Sequence, residues 1–549
     1  MLKRIFNSQT KTVTFAAVLL AASSLVSRLL GLIRDRLLAA GFGAGQELDI
    51  YFAAFRIPDF VYGILIMGGV AAIFLPVFSE YFRKGQEYAW SFVNNFLNCF
   101  LILIVLICGI MAVFAPWLVS LIAPGFCQES RELAVVLTRI MFISPVFLGI
   151  SNIFSGVLHY FNRFFAYSLA PIMYNLGIIF GILFLVPVFG LYGLAYGVIA
   201  GAFFHWLVQI PAARKSGYKY LPVLNFKKFG LAKVFRLMVP RIIGAAGYHI
   251  NLIVVTAVAS TLAVGSITVF NFANNLQYVP VGLIGVSFSL AVFPVLSRKW
   301  AAGLKEDFFK TFSSTFRQIL FLIIPASALI FILRAHIVRL VLGSGEFGWL
   351  ETRLTAACLG IFCLSIFASS FIPFLARVFY SFQNTKTPVI ISLVAVTVNV
   401  LLCFLFVFLL GFANVFQELA ANVLKLQDVQ NIGVIGLPLA MSISAITQFC
   451  LLLVFLKRKT GSLGNGEIVK STGKILIASL LMTVFAYAAL FAAAEFLNVR
   501  TFVGILIQTI TACLAGLAAY ISASFLLKSA EAKLIWLSVF KRRGKGASE

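Results

Sequence analysis

The sequence predicts an all-α protein that crosses a membrane about fourteen times. Of its 549 residues, 61% are hydrophobic and 11% are charged, whereas soluble domains carry about 25% charged residues. Apolar runs of about 20 residues, the length that a helix needs to cross the hydrocarbon core of a bilayer, recur along the whole chain. A closed β-barrel would show short segments of alternating polarity instead, and these runs are continuous.

Fourteen helices can be placed on these runs. We expect them at residues 12–41, 49–80, 90–122, 131–160, 164–187, 191–213, 233–259, 264–297, 311–343, 352–381, 387–411, 432–456, 472–495 and 500–527. The basic and then apolar N-terminus resembles a signal peptide, but the apolar run continues without a clear cleavage site. We therefore expect a retained first helix.

Lysine and arginine residues are distributed unevenly between the two sets of connections. The connections on one side carry 30 of the 43, and those on the other side carry six. Because cytoplasmic loops of membrane proteins hold the excess of basic residues, both termini are expected in the cytoplasm and residues 412–431 outside it. The net charge of +25 is spread in small clusters between apolar runs, so it does not indicate nucleic-acid binding.

Three short motifs recur in the same order in the two halves of the chain. The pairs are PVFS at 76–79 with PVLS at 294–297, NRF at 162–164 with NTK at 384–386, and GLYGL at 190–194 with GVIGL at 433–437. Six predicted helices separate the copies, and this even number gives both halves the same orientation. The pattern predicts two parallel six-helix lobes, at 1–217 and 218–460, followed by two extra helices and a basic tail at 461–549.

The first two predicted helices carry charges, which are rare inside membranes and commonly face a polar cavity. Their charged residues include Arg28, Arg34, Asp35, Asp49, Arg56 and Asp59. A guanidinium group presents a planar fork of donors that matches phosphate oxygens. Three arginines with few acids beside them therefore indicate a site for an anionic ligand. The alternative is structural: Arg34 pairs with Asp35 or Asp49, and Arg28 extends to the cytoplasmic interface.

Several runs of the sequence resemble one known family. They are SRLLGLIRD at 27–35, FGAG at 42–45, AFRIPD at 54–59, VPRIIGAAGYHIN at 239–251, YVPVGLIGVSFSLAVFPVLSR at 278–298 and FYSFQNTKTPV at 379–389. Together they resemble the MurJ/MviN family, whose members are flippases for lipid II, the undecaprenyl-diphosphate-linked peptidoglycan precursor. The resemblance covers roughly residues 10–460.

The resemblance implies a V-shaped cavity between two lobes, a diphosphate headgroup held by cavity arginines, and a polyprenyl chain in a groove beside the last two helices. Carried over by position, the substrate-binding residues are Arg28, Arg34 and Arg56, with Asp49 as their acidic partner.

The chain departs from the family pattern at four positions. Members often carry an arginine and a glutamate deeper in helix 2, an arginine in helix 8 and an acid in helix 7. Here those places hold Tyr62, Met67, Asn275 and Val255. The second lobe is thus more neutral than usual, so we expect helices 1 and 2 to provide most of the phosphate recognition.

The expected function is a flippase that moves lipid II across the bacterial plasma membrane by alternating access, as a monomer and without ATP hydrolysis. One alternative is a flippase for another polyprenyl-diphosphate-linked oligosaccharide. Another, from a different class, is a membrane glycosyltransferase or polymerase acting on the same lipid. The eight cysteines have no CxxC spacing and the four histidines no HxxxH spacing, so we expect no catalytic residue, metal or cofactor.

Overall fold

The computed structural model describes residues 13–225, 231–461, 465–498 and 501–534. Within these ranges the chain is almost entirely helical and has no β-strand, which confirms the all-α prediction. Ten of the described helices are long and apolar enough to cross a membrane, and a bent pair provides an eleventh. Three further long helices begin at Val13, Gln46 and Leu231, and the first two carry the charged residues considered above. The chain is a multi-pass membrane protein, and its long helices are consistent with the predicted fourteen.

The described residues pack as two compact units, of which the first extends to Thr268 and includes Ser344–Phe347. Its helices are α1 (Val13–Phe42), α2 (Gln46–Val61, Tyr62–Val70 and Ala71–Lys84), α3 (Gln86–Val113), α4 (Gln128–Met141 and Ile143–Tyr160), α5 (Phe164–Phe180, Gly181–Leu185 and Val186–Phe189), α6 (Tyr192–Leu207 and Ile210–Lys215) and α7 (Leu231–Ser260). A short helix, Ala115–Ile122, lies between α3 and α4.

The second unit contains all but the first three residues of α8, together with the helices that follow it. These helices are α8 (Ser266–Pro280, Val281–Val286 and Ser287–Ala301), α9 (Lys305–Val341), α10 (Trp349–Cys363 and Ile366–Ser381), α11 (Lys386–Leu410), α12 (Gly433–Ile435 and Gly436–Thr460), α13 (Asn465–Phe496) and α14 (Phe502–Leu526). The two parts of α10 meet at an angle of 48°. The connection at 412–431, between α11 and α12, contains a ten-residue helix, Val415–Leu424.

The secondary structure repeats along the chain in the same way as the sequence motifs. The first helix of each half, α1 and α7, has 30 residues. The second helix of each half, α2 and α8, contains a π-helical segment between two α-helical segments, at Tyr62–Val70 and Val281–Val286. These features support the predicted repeat. The domain boundary after residue 217 stays a prediction, and α7 packs within the first unit, against the π-helical segment of α2.

Glycines allow α5 and α6 to pack closely in the first unit. Gly177 and Gly181 on α5 face Gly197 and Gly201 on α6, and a Cβ at any of the four would overlap the backbone of the opposite helix. Helix association in membranes relies on such close packing, because lipid tails are as apolar as the side chains and burial gives no advantage. This contact supports α5, which in turn packs against α1 and positions Asn175 beside it.

The two C-terminal helices pack on α9 in the second unit. The hydroxyl of Tyr520 on α14 donates a hydrogen bond to the Phe321 carbonyl at 2.7 Å. Arg317 on α9 forms ion pairs with Glu467 at 3.1 Å and with the buried Glu531 at 3.2 Å. The charge of a cation in helix α9 is thereby balanced by acids at the start of α13 and beyond the end of α14.

Candidate functional site

Arg34 on α1 is held by its neighbour Asp35 and by α5. Its Nε and Nη2 donate hydrogen bonds to Asp35 Oδ1 at 3.0 and 2.8 Å, and its Nη1 donates to Asn175 Oδ1 at 3.4 Å. Asp35 is buried. Asn175 Nδ2 donates in turn to the carbonyl and hydroxyl oxygens of Ser27, both at 3.2 Å. Arg34 therefore pairs with Asp35 in this structure, as the structural alternative stated.

Arg56 and Asp59 connect α2 to α7. The Nε of Arg56 donates a hydrogen bond to Oγ1 of the buried Thr256 at 2.9 Å. Asp59 lies one turn further along α2, and its Oδ2 is 3.7 Å from Nδ1 of His249. The acids closest to the two arginines are thus Asp35 and Asp59, and neither pairing involves Asp49.

Asp49 binds the start of α8. Its carboxylate accepts hydrogen bonds from the Gly265 N–H at 2.7 Å, the Thr268 N–H at 2.8 Å and the Thr268 hydroxyl at 2.7 Å. The first N–H groups of a helix have no partner within the helix, and the positive end of the helix dipole favours an anion there. Asp49 was expected to partner an arginine, and in this structure it caps a helix instead.

A cavity of about 280 Å³ lies within the first unit beside these groups. Its lining residues are Arg34, Phe55, Pro58, Asp59, Tyr62, Ser144, Leu148, Pro171, Tyr174, Asn175 and His205. Apolar side chains form most of the cavity wall, and guanidinium, amide, hydroxyl and imidazole groups line it together with one carboxylate. Such a set of donors suits an anionic or hydroxyl-rich ligand.

The other predicted residues lie at different places. Arg28 is half-buried on α1, one residue after Ser27, and like Arg56 it does not line the cavity. Val255 is buried on α7. Asn275 belongs to the second unit and is partly buried. The side chain of Met67 lies outside the described residues. Within the described ranges, no group of three or more His, Cys, Asp or Glu side chains can hold a metal ion.

Comparison with known proteins identifies the family. A family model described as "Lipid II flippase MurJ" matches residues 38–507. The chain belongs to the MurJ family of lipid II flippases. A probable lipid II flippase MurJ of Buchnera aphidicola subsp. Acyrthosiphon pisum (strain APS) is 29% identical over 494 residues, which cover 88% of this chain and 91% of that protein. The lipid II flippase MurJ of Burkholderia cenocepacia is 28% identical over 408 residues, 73% of this chain and 79% of that protein.

Solved structures agree with this assignment. A lipid II flippase MurJ in an inward closed conformation superposes with a TM-score of 0.74 and 25% identity, covering 93% of this chain and 99% of that one. An inward-facing multidrug resistance MATE family transporter of the MOP superfamily superposes with a TM-score of 0.65 at 16% identity, over 82% of this chain and 99% of that one. The second likeness shows the fold alone. Both are transporters, and the chain belongs to a transporter family rather than to a family of enzymes.

Three polar residues of this MurJ-family site were not identified from the sequence: Asn175, His249 and Thr256. Each supplies a partner to a charged group on α1 or α2. Each of the three is a polar residue within an apolar helical run, and this pattern could have indicated them. Such residues tend to face protein or a polar cavity rather than lipid, because an unsatisfied polar group in hydrocarbon is costly.

Proposed function

We propose that the protein is a flippase that moves lipid II across the bacterial plasma membrane by alternating access. The observation that carries this proposal is the cavity lined by Arg34 inside an apolar helical bundle, in a chain of the lipid II flippase family. A diphosphate that leaves water loses the hydrogen bonds of its hydration shell, and charged donors must replace them. The guanidinium group of arginine presents such donors in a geometry that matches phosphate oxygens.

The headgroup diphosphate would bind to Arg28, Arg34 and Arg56. Among the described contacts, three of the five N–H donors of Arg34 are used by Asp35 and Asn175. Two donors are left, so a phosphate oxygen can bind Arg34 without displacing Asp35. The Asp35 pair keeps the guanidinium in place and balances its charge in the absence of substrate, which lowers the cost of an empty site in the membrane.

The role of Asp49 in this proposal is to hold α2. Its hydrogen bonds to the start of α8 join α2 to the connection that follows α7. In an alternating-access cycle, such a bond can stabilise one conformation and break in the other, because a single set of partners cannot fit both. Asp49 would then influence transport without touching the lipid.

The orientation in the membrane follows from the basic residues. With 30 lysines and arginines on one side and six on the other, both termini would lie in the cytoplasm and residues 412–431 outside it. The protein would act as a monomer in the inner membrane. A C-terminal reporter that is active only outside the cytoplasm would contradict this orientation.

The experiment for the function has two parts. In cells depleted of their lipid II flippase, expression of this chain is expected to restore growth and shape. In vesicles that contain the purified protein, lipid II added to one leaflet is expected to become accessible to a label on the other side. Rescue without lipid II movement in vesicles, or a faster movement of a different polyprenyl-diphosphate oligosaccharide, would contradict lipid II as the substrate.

The same vesicles separate a transporter from an enzyme acting on the lipid. If the protein only moves lipid II, the lipid recovered after the assay is chemically unchanged. A polymerised or hydrolysed product formed by the purified protein would overturn the flippase proposal.

A further inference from the structure

The contact between α2 and α7 contains a carboxylate and an imidazole to which the proposed function gives no role. Nδ1 of His249 lies 3.7 Å from Oδ2 of Asp59. The imidazole ring lies against Gly63 in the π-helical segment of α2, and a Cβ at Gly63 would overlap it. The absence of a side chain at this position therefore allows His249 to pack against the backbone of α2, beside Asp59.

The carboxylate of this pair also faces the substrate cavity. Asp59 lines the cavity together with Arg34 and Tyr62. It follows Arg56 by three residues, so the two side chains are neighbours on one face of α2. Asp59 thus neighbours both Arg56, which is always charged, and His249, a residue type whose charge can change in the physiological pH range.

The surroundings of the pair contain few other charges. The titratable and charged groups near it are Arg56 and Tyr62 on α2, Tyr248 on α7, Tyr167 and Tyr174 on α5, the Arg34–Asp35 pair on α1 and His205 on α6. The residues of α4 that line the cavity, Ser144 and Leu148, are neutral. Arg34 is balanced by Asp35, so among the side chains that the structure describes Arg56 and Asp59 are the remaining opposite charges beside the histidine.

We propose that Asp59 and His249 form a proton-binding site that takes up a proton when the anionic headgroup binds. This inference rests on the proposed function, because it places a diphosphate beside Arg56. While the site is empty, Arg56 balances Asp59 and His249 is neutral. When a phosphate takes Arg56 as its partner, Asp59 loses part of its balancing charge, and a proton from water on His249 restores it.

This arrangement links the binding of the headgroup to the binding of a proton by His249. If the bound headgroup favours the protonated histidine, then protonation must favour headgroup binding by the same factor. Lipid II binding is therefore expected to weaken as the pH rises through the titration of His249, by up to about tenfold for each pH unit. The pair would give the flippase a proton-dependent step at a site formed by α2 and α7.

The test uses the purified full-length protein in nanodiscs and measures the affinity for lipid II between pH 6 and pH 8 by calorimetry, in two buffers with different ionisation enthalpies. The wild type is expected to take up as much as one proton per lipid II bound. His249→Gln keeps a polar side chain of similar reach and is expected to remove both proton uptake and the pH dependence. Asp59→Asn is a second variant with the same expected loss.

The control is His336→Gln. His336 lies on α9 in the second unit, where it is hydrogen-bonded to Gln508 at 3.2 Å, and its substitution should leave proton uptake as in the wild type. Equal pH dependence in the wild type and His249→Gln, or no proton uptake by the wild type, would overturn the proton site while leaving the flippase proposal intact. A wild type that does not bind lipid II would overturn both.

Discussion

Asp49 on α2 binds Thr268 in the first turn of α8 through both the backbone and the side chain. Its Oδ1 accepts hydrogen bonds from the Thr268 N–H at 2.8 Å and from the Thr268 hydroxyl at 2.7 Å, while Oδ2 accepts from the Gly265 N–H at 2.7 Å. The carboxylate is buried. A buried anion is tolerated here because three donors and the positive end of a helix surround it.

Removal of this cap should destabilise the protein. Asp49→Ala leaves buried N–H groups without a partner, and such a loss costs about 1–3 kcal/mol. Asp49→Asn keeps one acceptor oxygen and should cost less. The measurement is thermal unfolding of the purified protein in detergent, with Glu47→Ala as the control, since Glu47 is an exposed acid in the same first turn. An Asp49→Ala protein as stable as the control would contradict the capping role.

The positions of the helices could be predicted because each depends on a short continuous stretch of sequence. Apolar runs of about 20 residues determine where helices lie, and the bounds expected for helices such as 164–187 and 387–411 are close to those observed, Phe164–Phe189 and Lys386–Leu410. Residues 412–431 are predicted from the sequence only as a connection between two helices. Its helix, Val415–Leu424, has ten residues and is too short to cross a bilayer, which takes about 20.

The site could be predicted only in part, because most of its contacts are distant in sequence. Arg34 and Asp35 are adjacent in the sequence, so their pairing could be predicted as one of the alternatives. Asp49 and its partner Gly265 are 216 residues apart, and nothing in the local pattern distinguishes a capping acid from one that pairs with arginine. The contact of Arg56 with Thr256 spans 200 residues and requires the packing of α2 on α7 to be known.

The three arginines should each be needed for lipid II binding. A hydrogen bond to a charged group contributes about 1.5–3 kcal/mol, so Arg28→Ala, Arg34→Ala and Arg56→Ala should each weaken binding by about one to two orders of magnitude. Each variant should also fail to rescue cells depleted of their flippase. Asn275→Ala is the control and should have a mild effect, because the first two helices are expected to dominate phosphate recognition.

Membrane levels of each variant, measured by immunoblot, separate loss of function from loss of insertion. If well-inserted Arg28→Ala and Arg56→Ala proteins rescue fully, the arginines have structural roles only. If Asn275→Ala rescues growth less well than the arginine variants do, headgroup recognition lies in the second lobe.

Gly63 should be required for the packing of α7 on α2. In Gly63→Ala the new Cβ overlaps the His249 ring, and overpacking of this kind costs about 1–3 kcal/mol. In a His249→Ala background the ring is absent, so the same substitution should cost much less. Thermal unfolding of the two single variants and the double variant measures this coupling.

Gly109→Ala on α3 is the matched control, because nothing in the described structure lies within 4 Å of a Cβ at that position. Equal effects of Gly63→Ala in the presence and absence of the His249 ring would show that the two residues are not in contact.

The segment at 412–431 should be held by an ion pair that weakens in acid. Arg353 at the start of α10 donates hydrogen bonds to Asp428 from Nη1 at 2.5 Å and from Nη2 at 2.6 Å, and Nη2 also donates to the Lys425 carbonyl. The hydrogen bonds from Arg353 lower the pKa of Asp428 from its ordinary value. A carboxyl group with a lowered pKa in the folded state stabilises that state above its unfolded pKa, and the contribution is lost as the pH falls through the folded pKa.

The segment at 412–431 should therefore be protected at neutral pH and become less protected below the ordinary aspartate pKa of about 3.9. Hydrogen–deuterium exchange of this segment, corrected for the intrinsic effect of pH, measures the change. Asp428→Asn should raise exchange at neutral pH to the level that the wild type reaches in acid. Glu418→Gln, in the helix of the same segment, serves as the control. Protection that is independent of pH in the wild type, or unchanged in Asp428→Asn, would mean that Arg353 does not hold the segment.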